Sequence, residues 1–338
     1  MLVKLPIDDP VWSSFVEAHP RRTPFHEPAW ARMIGECYRF PVFALALVDG
    51  QPHARRVVAG VPVVEIVRPL RARRWSSLPY TDFVAPLSDP ADELLLREML
   101  NRARADAGVE TFDIGGPLVG SRQTERYVGH VLTLESDPEP VARRFKAAVR
   151  RNVRAAEEHG LTVRWTDRED DLVEVYYGLQ LLTRRRLGLP AQPRRFFEHV
   201  WEAVVKSGLG RLLLVEKTGT SIAGGLFLRA NGVVVYKYGA YDPRFLALRP
   251  NDLLFAEAIR SACLDGDRIF HFGRSDKDAV GLRRFKLGWG AVEAPLVEST
   301  LGASRTTRQP PQLAQQVIRR SPLFVSRAAG ELLYRYAA

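Results

Sequence analysis

Two hydrophobic rhythms alternate along this chain and mark out its elements. Short runs of Val, Leu, Ile and aromatic residues, closed by Gly, Pro, Asn or Asp, predict strands at 42–48, 57–67, 111–114, 127–134, 161–165, 209–216, 222–229, 233–238 and 292–298. A further apolar strand starts at Ile269 and runs into a Gly273-Arg274-Ser275 turn. Apolar residues three and four apart predict helices at 9–18, 91–107, 141–159, 170–187, 193–206 and 251–263, and Thr23 to Trp30 opens one more. Asp49-Gly50 and Asn231-Gly232 are hairpin turns, the second the clearer. Each half thus runs helices, a hairpin, a helix and a strand pair, with no detectable sequence repeat. The pattern predicts an α/β (α+β) protein of two tandem domains, 1–136 and 137–301, each a mixed sheet flanked by helices. Residues 302–338 read as a linker followed by an amphipathic basic helix broken at Pro322. That helix is expected to pack on the first domain, with a membrane surface as the alternative.

Composition narrows the class. A length of 338 residues suits two ordinary domains. No apolar run approaches the roughly 18 residues that cross a bilayer, and the N-terminus lacks the apolar core of a signal peptide. Cys37 and Cys263 fit neither a disulfide framework nor a zinc site. The expectation is a cytoplasmic protein without a metal, working at most against the inner face of the membrane. A net charge of +10 favours a polyanionic partner such as tRNA, a nucleotide-linked or lipid-linked precursor, or a membrane surface. The charge is densest on the predicted helix 141–159, where Phe145, Val149 and Val153 line one face. Arg150, Arg151 and Arg154 are its candidate tRNA or phosphate contacts, a solvated face being the plain alternative. The basic turn 68–74 has the same two readings.

The most distinctive chemistry follows Ile269. Phe272-Gly273-Arg274-Ser275 precedes Phe285-Lys286-Leu287-Gly288-Trp289-Gly290-Ala291, and the glycines at 281, 288 and 290 suggest tight turns or close approach. Only 7 of the 49 basic residues are Lys, so Lys286 between Phe285 and a glycine-spaced Trp is a candidate for a specific task. Nucleophile-elbow, Walker, dinucleotide and zinc-protease motifs are absent. No histidine or carboxylate stands out as a base: Asp242 and Asp276 read equally well as turn residues, and His26 as a structural group at a helix start.

These stretches resemble the Fem (FemABX) aminoacyltransferases, in particular the GNAT-like branch also described as acetyltransferase 6 proteins, over about residues 19 to 300. The resemblance implies two tandem GNAT-like domains and transfer of an aminoacyl group from aminoacyl-tRNA to an amine of a cell-wall precursor or other small acceptor, with no tightly bound cofactor. It also implies the site. Lys286 with Phe285 matches the family's F-K element, whose cation stabilises the transition state. Arg186, with Arg185 as the fallback register, falls where an arginine meets the acceptor's phosphates. Tyr80 in Ser77-Leu78-Pro79-Tyr80, Tyr238 and Tyr241 in Tyr236-Lys237-Tyr238-Gly239-Ala240-Tyr241, and Arg274 and Trp289 complete the expected substrate-binding set. The chain departs from peptidoglycan-branching members in lacking a long coiled-coil arm. The alternative donor is acyl-CoA or an acyl-carrier thioester, although the Arg/Gln-x-x-Gly-x-Gly/Ala loop that holds the acetyl-CoA pyrophosphate is missing.

Overall fold

Every predicted period-two run becomes a strand, and the helical runs pack their apolar stripes on the resulting sheets. The structure, a computed structural model, is described over residues 1–50, 56–67, 71–166, 168–303 and 312–334. The first elements are β1 Leu2–Pro6, α1 Pro10–Ala18, a 3-10 turn Pro24–His26, α2 Pro28–Tyr38, β2 Val42–Asp49 and β3 Arg56–Ile66. They continue as β4 Arg74–Ser76, β5 Leu87–Ser88, α3 Glu93–Asp106, β6 Thr111–Ile114 and β7 Arg122–Thr133. Next come α4 Pro138–Arg143, α5 Ala147–Glu158, β8 Leu161–Thr166, and a π-helical turn that leads into α6 Tyr177–Leu187. After α7 Arg194–Val200 follow β9 Gly210–Lys217, β10 Thr220–Ala230, β11 Val233–Tyr241 and a 3-10 turn Pro243–Leu248. The chain closes with α8 Pro250–Leu264, β12 Ile269–Asp276, α9 Val280–Leu287, β13 Val292–Gly302, α10 Gln312–Arg320 and α11 Leu323–Leu333.

Of the described residues, one unit holds Met1–Val128 with 295–303, and a second holds Gly129–Ala294 with 312–334. In the first unit β2 lies antiparallel between β1 and β3, β3 runs antiparallel to β4, and β4 runs parallel to β6. The end of β13, residues 299–302, pairs antiparallel with β6. Phe43, Leu45 and Leu47 of β2, Val61 and Val63 of β3, and Leu96 and Leu100 of α3 share one core with Trp75 and Phe112. In the second unit β8, β9, β10 and β11 form an antiparallel meander, and α8 then crosses over to bring β12 in parallel to β11. Its core gathers Phe227, Leu254, Phe255, Phe270, Phe272 and Trp289.

The structure departs from the expected layout in several places. The boundary lies at 128/129 rather than 136/137, and the chain returns to the first unit from residue 295. The C-terminal helices pack on α6 of their own second unit, where Ser326 and Glu331 bond to residues 189–195, instead of on the first domain. The single helix expected at 141–159 is two, because the Lys146 N–H leaves the helical ladder to donate to Gly288 O at 2.8 Å. Finally, Phe285-Lys286 lies on a helix, α9, in whose first turn a side chain at Gly281 would meet nothing within 4 Å. Part of the basic turn at 68–74 and most of the linker lie outside the described residues.

His26 illustrates how a helix start fixes a buried imidazole. Its Nδ1 accepts from the Thr23 N–H at 3.0 Å, and its Nε2–H donates to Ala85 O at 2.8 Å. Burial, against these carbonyl and amide bonds, lowers its pKa to about 4, so the ring is neutral at pH 7. The unfolded chain binds a proton near pH 6.5 that the folded one refuses. The stabilisation is therefore complete above pH 6.5 and lost as pH falls through about 4, a difference of about 3 kcal/mol. Denaturant unfolding measured between pH 7 and 4 should show this decline, and His26→Gln should flatten it; an unchanged slope in the variant would assign the acid sensitivity elsewhere.

Candidate functional site

The site begins where two parallel strands part. β11 and β12 share a ladder over Val233–Val235 against Ile269–His271, after which β11 continues to Tyr241 and β12 to Asp276. A crevice at the carboxyl ends of diverging parallel strands is a common ligand position in open α/β sheets. The β12 side carries Gly273-Arg274-Ser275 in strand geometry rather than in the expected turn. Gly273 has φ 70°, a backbone that a side chain would strain, and its carbonyl and that of Arg274 both accept bonds from α9.

Lys286 answers those carbonyls. It is 2% exposed, and its Nζ donates to Gly273 O at 3.0 Å and to Arg274 O at 3.3 Å. One turn earlier on α9, Arg283 grips Glu293 of β13 through both carboxylate oxygens, at 2.9 and 2.7 Å. His130 of β7, fully buried, places Nε2 2.9 Å from Glu293 Oε2. Its pKa is lowered first by burial and next by the Lys286 charge, with Glu293 opposing. Lys286 therefore stands against a neutral imidazole, and Arg283 holds the Glu293 carboxyl below the usual range. His130 and Glu293 carry no sequence signal, being lone polar residues on strands that fall together only through pairing across the sheet.

On the β11 side, α6 is tied to the strand end: the Tyr241 N–H donates to Thr183 Oγ1 at 3.1 Å. The exposed Arg186 guanidinium lies 5.0 Å above the Tyr241 ring, so these two expected residues do meet. Arg185, the fallback, is half-buried on the same turn. Tyr238 packs edge-on against Phe196, with Lys237 Nζ 4.9 Å from its ring. Arg274 is exposed.

Other expected residues take different positions. Trp289 is fully buried among Phe145, Phe255 and Phe285, so its ring holds up the core rather than lining a cleft. Phe285, half-buried, packs in the same cluster. Tyr80 belongs to the first unit, its ring tilted against that of Tyr38 at 4.7 Å, with φ 63°. Arg150, Arg151 and Arg154 are exposed on α5, and Arg150 turns back to bond Arg143 O and Phe145 O. Asp242 caps the 3-10 turn after β11, and Arg244 keeps its carboxyl below the usual range. Asp276 is exposed. Among the described residues no three His, Cys, Asp or Glu side chains converge as a metal site, and no helix is long and apolar enough to cross a membrane.

Residues 143–287 match the acetyltransferase (GNAT) domain family. Among solved structures, FemX superposes with a TM-score of 0.70 at 16% identity, covering 94% of this chain and 100% of that one. L-PGS from Bacillus licheniformis gives 0.54 at 12% identity, over 97% and 98% of the two chains. A tandem GNAT protein from the clavulanic acid biosynthesis pathway, solved without AcCoA, gives 0.53 at 13% identity over 90% and 99%. No curated protein sequence matches. At these identities the structural likeness is one of fold. Residues 143–287 of the second unit, which hold the parted strands and α9, thus match a GNAT acetyltransferase domain. Taken over both units, the chain has the tandem, Fem-like arrangement of that fold.

Burial separates the two kinds of expected site residue. Trp289→Ala should cost about 3–5 kcal/mol in chemical denaturation, the usual range for removing a buried aromatic. Arg274→Ala, at an exposed position, should change stability by no more than about 0.5 kcal/mol. A mild Trp289 variant would remove that residue from the core.

Proposed function

We propose that the protein moves an aminoacyl group from aminoacyl-tRNA to an amine of a nucleotide-linked or lipid-linked cell-wall precursor or other small acceptor, in the cytoplasm, with no tightly bound cofactor. The observation that carries this reading is Lys286, a buried ammonium held by two strand-end carbonyls beside the gap between β11 and β12. The donor is an activated ester, and attack by an amine builds negative charge on its carbonyl oxygen. A fixed cation stabilises that charge without reorganising, and holding the substrates together supplies much of the rest. On the acceptor side, Arg186 over Tyr241 offers a planar donor fork suited to phosphate. Arg150, Arg151 and Arg154 offer exposed charge to the tRNA. Exposed Val317, Phe324 and Leu332 with Arg320 and Arg327 favour contact with a membrane surface.

The second reading is an N-acyltransferase using acyl-CoA or an acyl-carrier thioester, favoured by the match to an acetyltransferase domain. The start of α8 argues against CoA. A helix N-terminus that cradles a diphosphate needs free N–H groups and no competing anion. Here α8 opens on Pro250, which has no N–H, and buries Asp252 in its first turn against Asn152 at 3.2 Å.

Purified protein given labelled aminoacyl-tRNAs and labelled acetyl-CoA in parallel, with a bacterial small-molecule extract as acceptor source, should transfer from the tRNA. Lys286→Met, which keeps the volume and removes the charge, should retain its circular dichroism and lose about 10²–10³ in kcat. Transfer from acetyl-CoA alone would replace the first reading by the second, and full turnover by the folded variant would remove Lys286 from catalysis.

A further inference from the structure

Arg186 lies in the last turn of α6, and the segment that joins α6 to α7 is bonded in part by the C-terminal helices. α6 ends at Leu187, and Gly188 follows with φ 74°. A Cβ there would meet Gln315 O at 2.6 Å, so the α10 backbone lies directly on the corner. Arg319 of α10 donates from Nη2 to Leu187 O at 3.4 Å, putting a cation at the C-terminal end of α6. Ser326 of α11 is fully buried; its Oγ donates to Leu189 O at 3.1 Å, and its carbonyl accepts from the Ala191 N–H at 3.2 Å. α7 is preceded by Pro193, which cannot cap it with a side chain. Glu331 of α11 does so instead, accepting the Arg194 N–H at 3.0 Å and pairing with Arg195 at 2.7 Å. The C-terminal helices thus place Arg at one helix C-terminus and Glu at the next helix N-terminus, the signs that both helix dipoles favour.

We propose that α10 and α11 are a positioning element for acceptor recognition: by capping both helix ends that flank 187–194, they hold Arg186 in place above Tyr241. This rests on the reading that Arg186 meets the acceptor's phosphates. A mere brace would contribute to stability alone. A positioning element also sets affinity at a side chain it does not touch, because loosening the corner spreads Arg186 over more orientations.

The test uses the full chain, with inorganic pyrophosphate as the phosphate probe and amide hydrogen exchange as a readout independent of activity. Ser326→Ala/Glu331→Ala should raise exchange at 187–195 by about tenfold, the effect of losing caps of this kind, and weaken pyrophosphate binding by calorimetry several-fold. Glu331→Gln, which keeps an acceptor for the Arg194 N–H and loses the charge, should fall between wild type and the double variant on both readouts. Arg186→Ala should abolish the binding without altering the exchange. Unchanged exchange in the double variant overturns the capping, and faster exchange with unchanged affinity overturns the positioning. If Arg186→Ala binds pyrophosphate like wild type, the phosphate role of Arg186 fails and the positioning role with it, while the exchange data still decide whether the corner is held.

Discussion

A buried ammonium costs several kcal/mol unless its donors are met, and the second unit is arranged around meeting those of Lys286. Two of its bonds go to consecutive carbonyls, Gly273 O and Arg274 O, which a regular strand would point to opposite sides. Gly273, with φ 70°, takes the backbone out of regular strand geometry just where the two carbonyls are presented, a conformation that favours a residue without a side chain. Removing the cation alone would leave buried carbonyls unpaired, and removing the glycine would strain the strand that presents them. α9 is also held by the Arg283–Glu293 pair, so two of its cations are bonded to different strands, β13 and β12, and the helix has little freedom to turn.

Rigidity of this kind agrees with the crevice beside it. β12 leaves β11 after three paired residues, and the aromatic cluster of Phe255, Phe270, Phe272 and Trp289 fills the space under α9 and β12. A dense aromatic core behind a diverging pair of strands fixes where the pair opens, since interiors packed to crystal density do not yield by small amounts. On the opposite side, Thr183 fastens α6 to the end of β11, and the C-terminal helices fasten the far end of α6. Lys286 and Arg186 are each positioned by groups well separated from them in sequence.

This separation explains what the sequence made legible and what it hid. Alternation and turn chemistry were enough for the ten expected strands and for the Asn231-Gly232 hairpin, whose two residues have φ 53° and 70°. The tandem layout followed from the order of those runs. The break at Lys146 was invisible because the helical spacing of Phe145, Val149 and Val153 continues through it, and only a partner 142 residues away, Gly288, interrupts the ladder. α9 is short and its glycines read as turn or close-approach positions, and what holds it as a helix, bonds from Arg283 to β13 and from Lys286 to β12, lies outside its own sequence. Trp289 is expected in the cleft through the family resemblance, whereas its glycine neighbours, read as sites of close approach, admit the α4–α5 segment against the ring. His130 and Glu293 meet only through strand pairing, which spacing within one strand cannot reveal.

The state of these groups bears on how the proposed transfer would run. Glu293 is taken up by Arg283, Asp242 by Arg244, and His130 is fully buried with its imidazole neutral. None of the three is placed as a free carboxylate or exposed imidazole ready to accept a proton from an incoming amine. Chemistry at such a site leans on a fixed positive charge and on orientation, which suits an acceptor arriving as the neutral amine and a donor that is already an activated ester. A thioester donor has the same electrophilic character, so the cation does not discriminate between the two. The discrimination falls to the handle of each donor: Asp252 in the first turn of α8 opposes a diphosphate there, whereas the exposed arginines of α5 would attract a polynucleotide backbone along their whole face. On the proposed reading, the donor is selected through charge at a distance from Lys286, and the same cation serves whichever ester or thioester the chain can hold.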